Sequence, residues 1–401
     1  MPPRVRLLPP DVADRIAAGE VIERPASAVK ELVENALDAE ATDVSVVIED
    51  GGRSLIRVVD NGHGMAPEDA RLAFERHATS KIATEKDLEE ISTLGFRGEA
   101  LPSLAAVSRI TLATKPLGNL EGCRIRFEGG KLVFEEPAAA AKGTEVTVES
   151  IFFNTPARRK FLKSARVEAA RVAETLTELA LACPRCRLTL EHGGREVVAF
   201  APSAKARDRA ESVLGREMKG GAITLEERFG ALRLSGLLID PARTATSTRR
   251  IYTIVNGRAV RDRGLLHAVM EGYREVLMRG RYPMAVIYVD LPPEAVDVNV
   301  HPAKREVRFS DAGAVHESVR SAVSRALARK ERRTSAAGQS LSLRAPAAGC
   351  ARGNPILPAT LGEGLFDSDF MRGHPSAAAE SEGRYGHHSE LEPLGQAGGT
   401  Y

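Results

Sequence analysis

Pro25-Ala26-Ser27-Ala28-Val29-Lys30-Glu31-Leu32-Val33-Glu34-Asn35-Ala36-Leu37-Asp38-Ala39 is the stretch on which the reading of this chain turns. Val29, Leu32, Val33, Ala36 and Leu37 recur at i, i+3, i+4, i+7 and i+8, the spacing of one buried helical face. Pro25 suits a first turn, where a missing N–H costs no intrahelical bond. Opposite the apolar stripe stand Glu31, Glu34, Asn35 and Asp38, themselves at helical spacing. Most acidic stripes are solvated surface, so this one gains meaning only from the two strands after it. Val44–Ile48, Asp50-Gly51-Gly52 and Leu55–Val59 read as strand, tight turn and strand. The second strand runs into Asp60-Asn61-Gly62-His63-Gly64, a D-x-G-x-G. A carboxylate at a strand end followed by glycines marks a sharp turn that a ligand can approach without interference from Cβ atoms. Such a carboxylate can accept a hydrogen bond from an exocyclic amine such as that of adenine.

Two further pieces fit the same chemistry. Leu94-Gly95-Phe96-Arg97-Gly98-Glu99-Ala100-Leu101 places two glycines around an arginine just before a helical pattern, Ala100 to Val107. A Gly-rich entry to a helix N-terminus is a phosphate site, though no Walker A string is present. The approach from Arg76 to Gly95, with His77-Ala78-Thr79-Ser80-Lys81, is polar and long enough for a lid. Gly143-Thr144 opens another strand, where the hydroxyl could support an acid.

Composition bounds the alternatives. The chain has 401 residues, and 56 Lys+Arg against 54 Asp+Glu leave a net charge of +2, so nucleic-acid binding would need a local patch. No window approaches a membrane span, and Met1 to Leu8 lacks a signal core, so the expected location is the cytoplasm with no membrane contact. Four cysteines are too few for a disulfide framework. Cys183 and Cys186 form a lone C-x-x-C that reads as two cysteines near a helix end rather than half a zinc site. From Thr334 onward there is no Val and no Lys, but eleven Gly and five Pro; such a stretch cannot offset its ordering entropy and is expected to be a disordered linker.

In chain order, E-x-x-x-N (Glu31, Asn35), D-x-G-x-G (Asp60, Gly62, Gly64), the G-F-R-G-E-A-L lid and Gly143-Thr144 resemble the GHKL ATP-binding superfamily. Longer strings narrow the resemblance to its mismatch-repair branch, the MutL family. They are Ile16-Ala17-Ala18-Gly19-Glu20-Val21-Ile22-Glu23-Arg24-Pro25, Arg76-His77-Ala78-Thr79-Ser80-Lys81, Asn154-Thr155-Pro156-Ala157-Arg158-Arg159-Lys160-Phe161 and Asp297-Val298-Asn299-Val300-His301-Pro302-Ala303-Lys304. The match runs over roughly residues 5–330.

The resemblance implies an α/β fold of the α+β sandwich kind. An ATPase domain at 1–215 would lay helices on a mixed, mostly antiparallel sheet. A smaller αβ domain at 216–333, resembling a ribosomal small-subunit protein fold, would follow, then a linker at 334–401 with the C-terminal dimerisation domain absent. It implies slow hydrolysis of ATP with Mg²⁺. Glu31 would be the general base, Asn35 the Mg²⁺ ligand, Asp60 and Thr144 the adenine contacts, and Lys304 a lysine entering from the second domain. Gly62, Gly64, Thr79, Ser80, Lys81, Gly95, Phe96, Arg97 and Gly98 would complete the nucleotide contacts. The implied partners are a second copy of the chain, sequence-independent DNA, the mismatch-recognition protein MutS, and strand-nicking and unwinding repair proteins. The implied setting is a bacterial cytoplasm, at the nucleoid during repair.

Residues 240–281 hold nine Arg against four acids, a local surplus larger than that of the whole chain, and Arg158, Arg159, Lys160, Lys163 and Arg166 form a second cluster. Arg158, Arg159, Arg258, Arg261 and Arg263 are therefore the expected DNA contacts, with strong salt dependence. The rivals are the ATPase half of a type II topoisomerase, and a nucleotide-gated DNA scaffold with negligible turnover. Two departures from the family pattern stand out. Glu40 replaces the usual Gly after the helix, which is expected to alter how the helix ends, and Pro102 sits in a first helical turn, where little consequence is expected.

Overall fold

The apolar stripe of the quoted stretch lies inward: Ala28, Val29 and Val33 have no exposed surface, and Leu32 and Ala36 have almost none. They belong to helix α2, Pro25–Asp38. The structure, a computed structural model, describes residues 9–81, 93–95, 98–215, 221–297 and 307–341. The other elements of the first half are α1 (Pro10–Val21), β1 (Asp43–Glu49), β2 (Leu55–Asp60), α3 (Pro67–Leu72), α4 (Ala100–Val107), β3 (Arg109–Lys115), β4 (Gly122–Glu128), β5 (Lys131–Ala138), β6 (Gly143–Glu149), α5 (Pro156–Phe161), α6 (Ala165–Ala182), β7 (Arg187–His192), β8 (Arg195–Phe200) and α7 (Ala206–Leu214).

The strands form one sheet in the order β5-β4-β3-β6-β2-β1-β7-β8. Only the β1–β7 pair is parallel, so the sheet is mixed and mostly antiparallel. Alternating burial along β1, β2 and β3 turns one face of the sheet into the core. Val44, Val46, Ile48, Ile56, Ile110 and Leu112 pack there with residues of α1, α2, α4 and α6. Strands β4 and β5 form a hairpin, because Gly129 and Gly130, at φ 57° and 87°, reverse the chain between them.

A second sheet, β12-β11-β13-β10-β9, is built from β9 (Ala222–Phe229), β10 (Leu232–Ile239), β11 (Ile251–Val255), β12 (Arg258–Val260) and β13 (Ala285–Asp290). Helices α8 (Arg263–Gly272) and α9 (Ala312–Leu341) supply the core on one of its faces. The short strands β14 (Val296–Asp297) and β15 (Arg308–Phe309) pair beside them. On the other face Leu237, Ile239, Tyr252 and Val286 pack with Leu181, Ala210 and Leu214 of α6 and α7. This shared core joins the two sheets into one unit, Met1–Leu343. Helix α8 stops at Gly272, and α9 runs past Thr334 to Leu341. Ala336 and Ala337 favour that continuation, and no proline interrupts it.

Glu40 does not change how α2 ends. It takes the left-handed conformation itself, at φ 58°, and Ala41 N donates to Ala36 O at 3.1 Å, as in a glycine-terminated helix. The strain stays in the folded state. Glu40→Gly is therefore expected to stabilise the chain by about 0.5–1 kcal/mol, the left-handed penalty less the extra unfolded-state entropy of glycine. A higher urea midpoint at unchanged slope would show it; a lower midpoint would mean that the Glu40 side chain contributes something the glycine cannot replace.

Candidate active site

Register places the acid. Asp60, the last residue of β2, lies opposite Thr144 of β6, and Thr144 in turn lies opposite Thr114 of β3. Asp60 Oδ1 accepts from Gly62 N at 2.8 Å and from Thr144 N at 3.2 Å. The Thr114 and Thr144 hydroxyls are 3.0 Å apart, and Met65 N donates to Thr114 Oγ1 at 2.9 Å. Burial pushes the Asp60 carboxyl up from its ordinary range, while the backbone donors of Gly62 and Thr144 work the other way. The D-x-G-x-G turn needs its last glycine: Gly64 sits at φ 71°, where a Cβ would lie 2.2 Å from Lys115 O.

Helix α2 splits its acidic stripe. Glu34, 5% exposed, pairs with Lys30 at 3.1 Å. Asn35 and Asp38 face the start of the lid instead. Leu94 N donates to Asp38 Oδ1 at 2.8 Å and Gly95 N donates to Asp38 Oδ2 at 2.9 Å. Lys81 Nζ donates to Asn35 Oδ1 at 2.9 Å and to Asp38 Oδ2 at 2.5 Å. Charge-assisted bonds of this kind are the strong ones. The ammonium shows that the oxygens of Asn35 and Asp38 converge on a cation. Glu31, partly exposed, lies one turn before Asn35 on the same helix.

The segment Thr93–Gly95, at the start of the expected lid, is also held by the second sheet. Arg258, 8% exposed at the start of β12, donates to Thr93 O and, at 3.3 Å, to Leu94 O. Burial lowers its pKa, and the charges of Glu34 and Asp38 oppose that shift. Further along, Gly98 takes φ 61° against Ala78 O, where a Cβ would lie at 2.3 Å. Thr79 Oγ1 accepts from Lys81 N at 3.2 Å, and Ser80 is exposed. Phe96, Arg97 and Lys304 lie outside the described residues.

The structure thus brings Asn35, Lys81 and Gly95 together, and separately Asp60, Gly62 and Thr144. The signal for Asp38 was available in its i+3 spacing from Asn35. The role of Arg258 had no local signal, because its partners lie about 160 residues away in sequence.

Three of the arginines expected on DNA are engaged inside the chain. Besides Arg258, Arg261 binds Glu178 Oε1 at 2.6 Å and also Glu174, both on α6. Arg158 packs its guanidinium against Gly19 and donates to Ile16 O at 3.4 Å. Arg159 and Arg263 are exposed. The C-x-x-C reads as structural: burial pushes the thiol of Cys183 up to about 11 and that of Cys186 up to about 12, so neither is a thiolate near neutrality. The nearby Arg209 donates to Pro184 O and Cys186 O, both at 2.7 Å.

A mostly antiparallel sheet under helices, an acid-and-amide helix and a strand-end aspartate are the marks of a GHKL-type ATPase domain. Residues 22–135 match the family of histidine kinase-, DNA gyrase B- and HSP90-like ATPases, and residues 210–328 match the DNA mismatch repair protein C-terminal domain family. The chain is 49% identical over 323 residues to the DNA mismatch repair protein MutL of Geotalea daltonii, covering 80% of this chain and 54% of that relative. The MutL ATPase domain of Aquifex aeolicus, solved with ADP, is 33% identical with a TM-score of 0.52, over 68% of this chain and 94% of that one. The N-terminal domain of a DNA repair protein superposes with a TM-score of 0.68 at 25% identity, over 80% of this chain and 98% of the other. The chain belongs to the MutL family of DNA mismatch repair proteins, and it spans about half the length of the curated relatives it matches. Among the described residues no helix is long and apolar enough to cross a membrane.

Proposed function

We propose that the chain binds Mg-ATP between α2, the D-x-G-x-G turn and the lid, and hydrolyses it slowly as a conformational switch in mismatch repair. The observation that carries this reading is the meeting of Asn35, Asp38 and Lys81 with the first lid residues, Leu94 and Gly95. In this reading Asp60, backed by Thr144, accepts the adenine amine, with Gly62 and Gly64 leaving room for the base. Asn35 would hold Mg²⁺ through its side-chain oxygen, the atom that accepts from Lys81 in this structure, and the ion would offset the charge of the phosphates. The donor set fits, since Mg²⁺ takes few protein oxygens and fills its remaining positions with phosphate and water. Thr79, Ser80, Lys81, Gly95, Phe96, Arg97 and Gly98 cover the phosphates, and Glu31 orients and deprotonates the attacking water. Lys304 is the cation the resemblance assigns to the γ-phosphate.

Arg258 supports a coupled switch. It ties the second sheet to the lid carbonyls while Asp38 ties α2 to the lid amides, so a lid that closes on nucleotide pulls on both sheets. Dimerisation of two such halves would then close a clamp around DNA, coupling recognition by MutS to nicking and excision proteins in the bacterial cytoplasm.

We place the DNA contact on the exposed Arg159 and Arg263. Turnover measured with and without duplex across a salt series tests the coupling: stimulation by DNA that fades as salt rises is expected, and no response to DNA at low salt would count against it. The double charge reversal Arg159→Glu with Arg263→Glu is expected to weaken duplex binding and reduce the slope of log K against log[salt] by up to about 2. Unchanged binding at low salt would rule out that patch as the DNA contact.

A further inference from the structure

Far along the chain from the nucleotide motifs, α8 and α9 carry three metal-capable side chains to one point. His267 and Glu271 are one turn apart on α8, and His316 stands near the start of α9. His267 Nδ1 lies 3.0 Å from His316 Nε2. Glu271 Oε2 lies 3.9 Å from the first nitrogen and 3.7 Å from the second. These three atoms define a triangle whose centre is about 2.1 Å from each of them. That distance is the bond length of zinc to imidazole nitrogen and carboxylate oxygen, about 2.0–2.2 Å.

We propose that His267, Glu271 and His316 bind a divalent transition-metal ion, zinc first among them, and that the ion fastens α8 to α9. Two imidazoles and one carboxylate suit zinc, copper or nickel and not the oxygen-seeking Mg²⁺ or Ca²⁺. The site is distinct from the Mg²⁺ position assigned to Asn35. His267 has 60% of its side chain exposed, so water or an anion can complete the coordination and the ion has a path of entry.

The geometry is held by packing that needs no ion. Gly272, next to Glu271, lies so close to α9 that a Cβ there would be 2.6 Å from Val323 Cβ. Ala268, Val269, Ala322 and Val323 are fully or almost fully buried in the same core. Asp262 caps α8 by accepting from Leu265 N at 2.8 Å, and Tyr273 Oη donates to Ile239 O at 2.8 Å just past its end. The helices that carry the ligands are therefore rigid, while the two imidazoles, whose nitrogens face each other across 3.0 Å with ring centroids 5.3 Å apart, would turn toward the ion as it binds. Two ring nitrogens 3.0 Å apart can share one proton but cannot each carry one toward the other. For both facing nitrogens to hold an ion, the proton between them would move to the outward nitrogen of its own ring, so that each neutral imidazole keeps one proton and offers one lone pair. Arg320, one turn beyond His316, is paired with Glu317 at 2.8 and 2.5 Å.

The test is a zinc titration of the full chain without an affinity tag, by calorimetry and by thermal unfolding, in a Cys183→Ser, Cys186→Ser background so that those thiols do not compete. The expected result is binding that raises the unfolding midpoint, with affinity at least about tenfold lower in His267→Ala and in His316→Ala. Glu271→Gln keeps the side-chain shape, should fold where an alanine variant does not, and should also bind more weakly. Zinc held by the tail histidines His374, His387 and His388 would be indifferent to these substitutions. Undiminished binding in the His267→Ala, His316→Ala double variant would overturn the proposal, as would a wild-type chain that takes up no zinc.

Discussion

Glu31→Ala is expected to lower kcat for ATP hydrolysis by about 10²–10⁴-fold, the usual contribution of a positioned general base, while Mg-ATP still binds. The separation follows from where the residue stands. Glu31 lies one helical turn from Asn35, and the lid amides are held by Asp38 rather than by Glu31. Removing its carboxylate leaves the Asn35–Lys81–Asp38 cluster, the Asp60–Thr144 pair and the lid anchor in place. A loss confined to kcat is the signature of an interaction made only in the transition state. Pre-steady-state binding beside steady-state turnover reads the two quantities separately.

Asn35→Ala is expected to lose Mg-dependent ATP affinity by at least about tenfold, or 1.4 kcal/mol, and to lose turnover with it. The oxygen of Asn35 already receives a cation, the Lys81 ammonium, at 2.9 Å, so the position is set up for positive charge. In the proposed reading that oxygen would be the protein ligand of Mg²⁺, and without it Lys81 rests on Asp38. The loss should be largest with Mg²⁺ present and small in its absence, which calorimetry of ATP with and without the ion distinguishes. Equal affinity changes under both conditions would mean that Asn35 contacts the nucleotide rather than the metal.

Most of this site was legible in the sequence because it is built from local patterns. The α2 stripe is a 3.6-residue period, and the Asp60 turn is an abrupt change from apolar strand to acid and glycine; both are read within a dozen residues. What could not be read is pairing over distance. The parallel seat of β7 beside β1 joins segments more than 140 residues apart, and nothing in either strand specifies the partner. The arginines are the plainest case. Their surplus over residues 240–281 resembles a DNA surface, yet Arg258 is folded onto the lid and Arg261 onto Glu174 and Glu178, partners invisible to a local charge count. The same holds for His316, which meets its α8 neighbours across 49 residues of sequence.

The Glu40 position carries a different lesson. A residue unsuited by propensity does not redirect the helix end, because the buried α2 face and the Ala41-to-Ala36 hydrogen bond over-determine that geometry. The mismatch is absorbed as strain, and its cost should appear in stability rather than in structure.

The central claim is that α2, the strand-end aspartate and the lid form a working ATPase. The measurement that tests it most directly is steady-state phosphate release from Mg-ATP by the wild-type chain beside Glu31→Ala, at saturating nucleotide and equal protein concentration. Slow turnover by the wild type and none above background in the variant is the predicted result. Equal turnover by the two would contradict it.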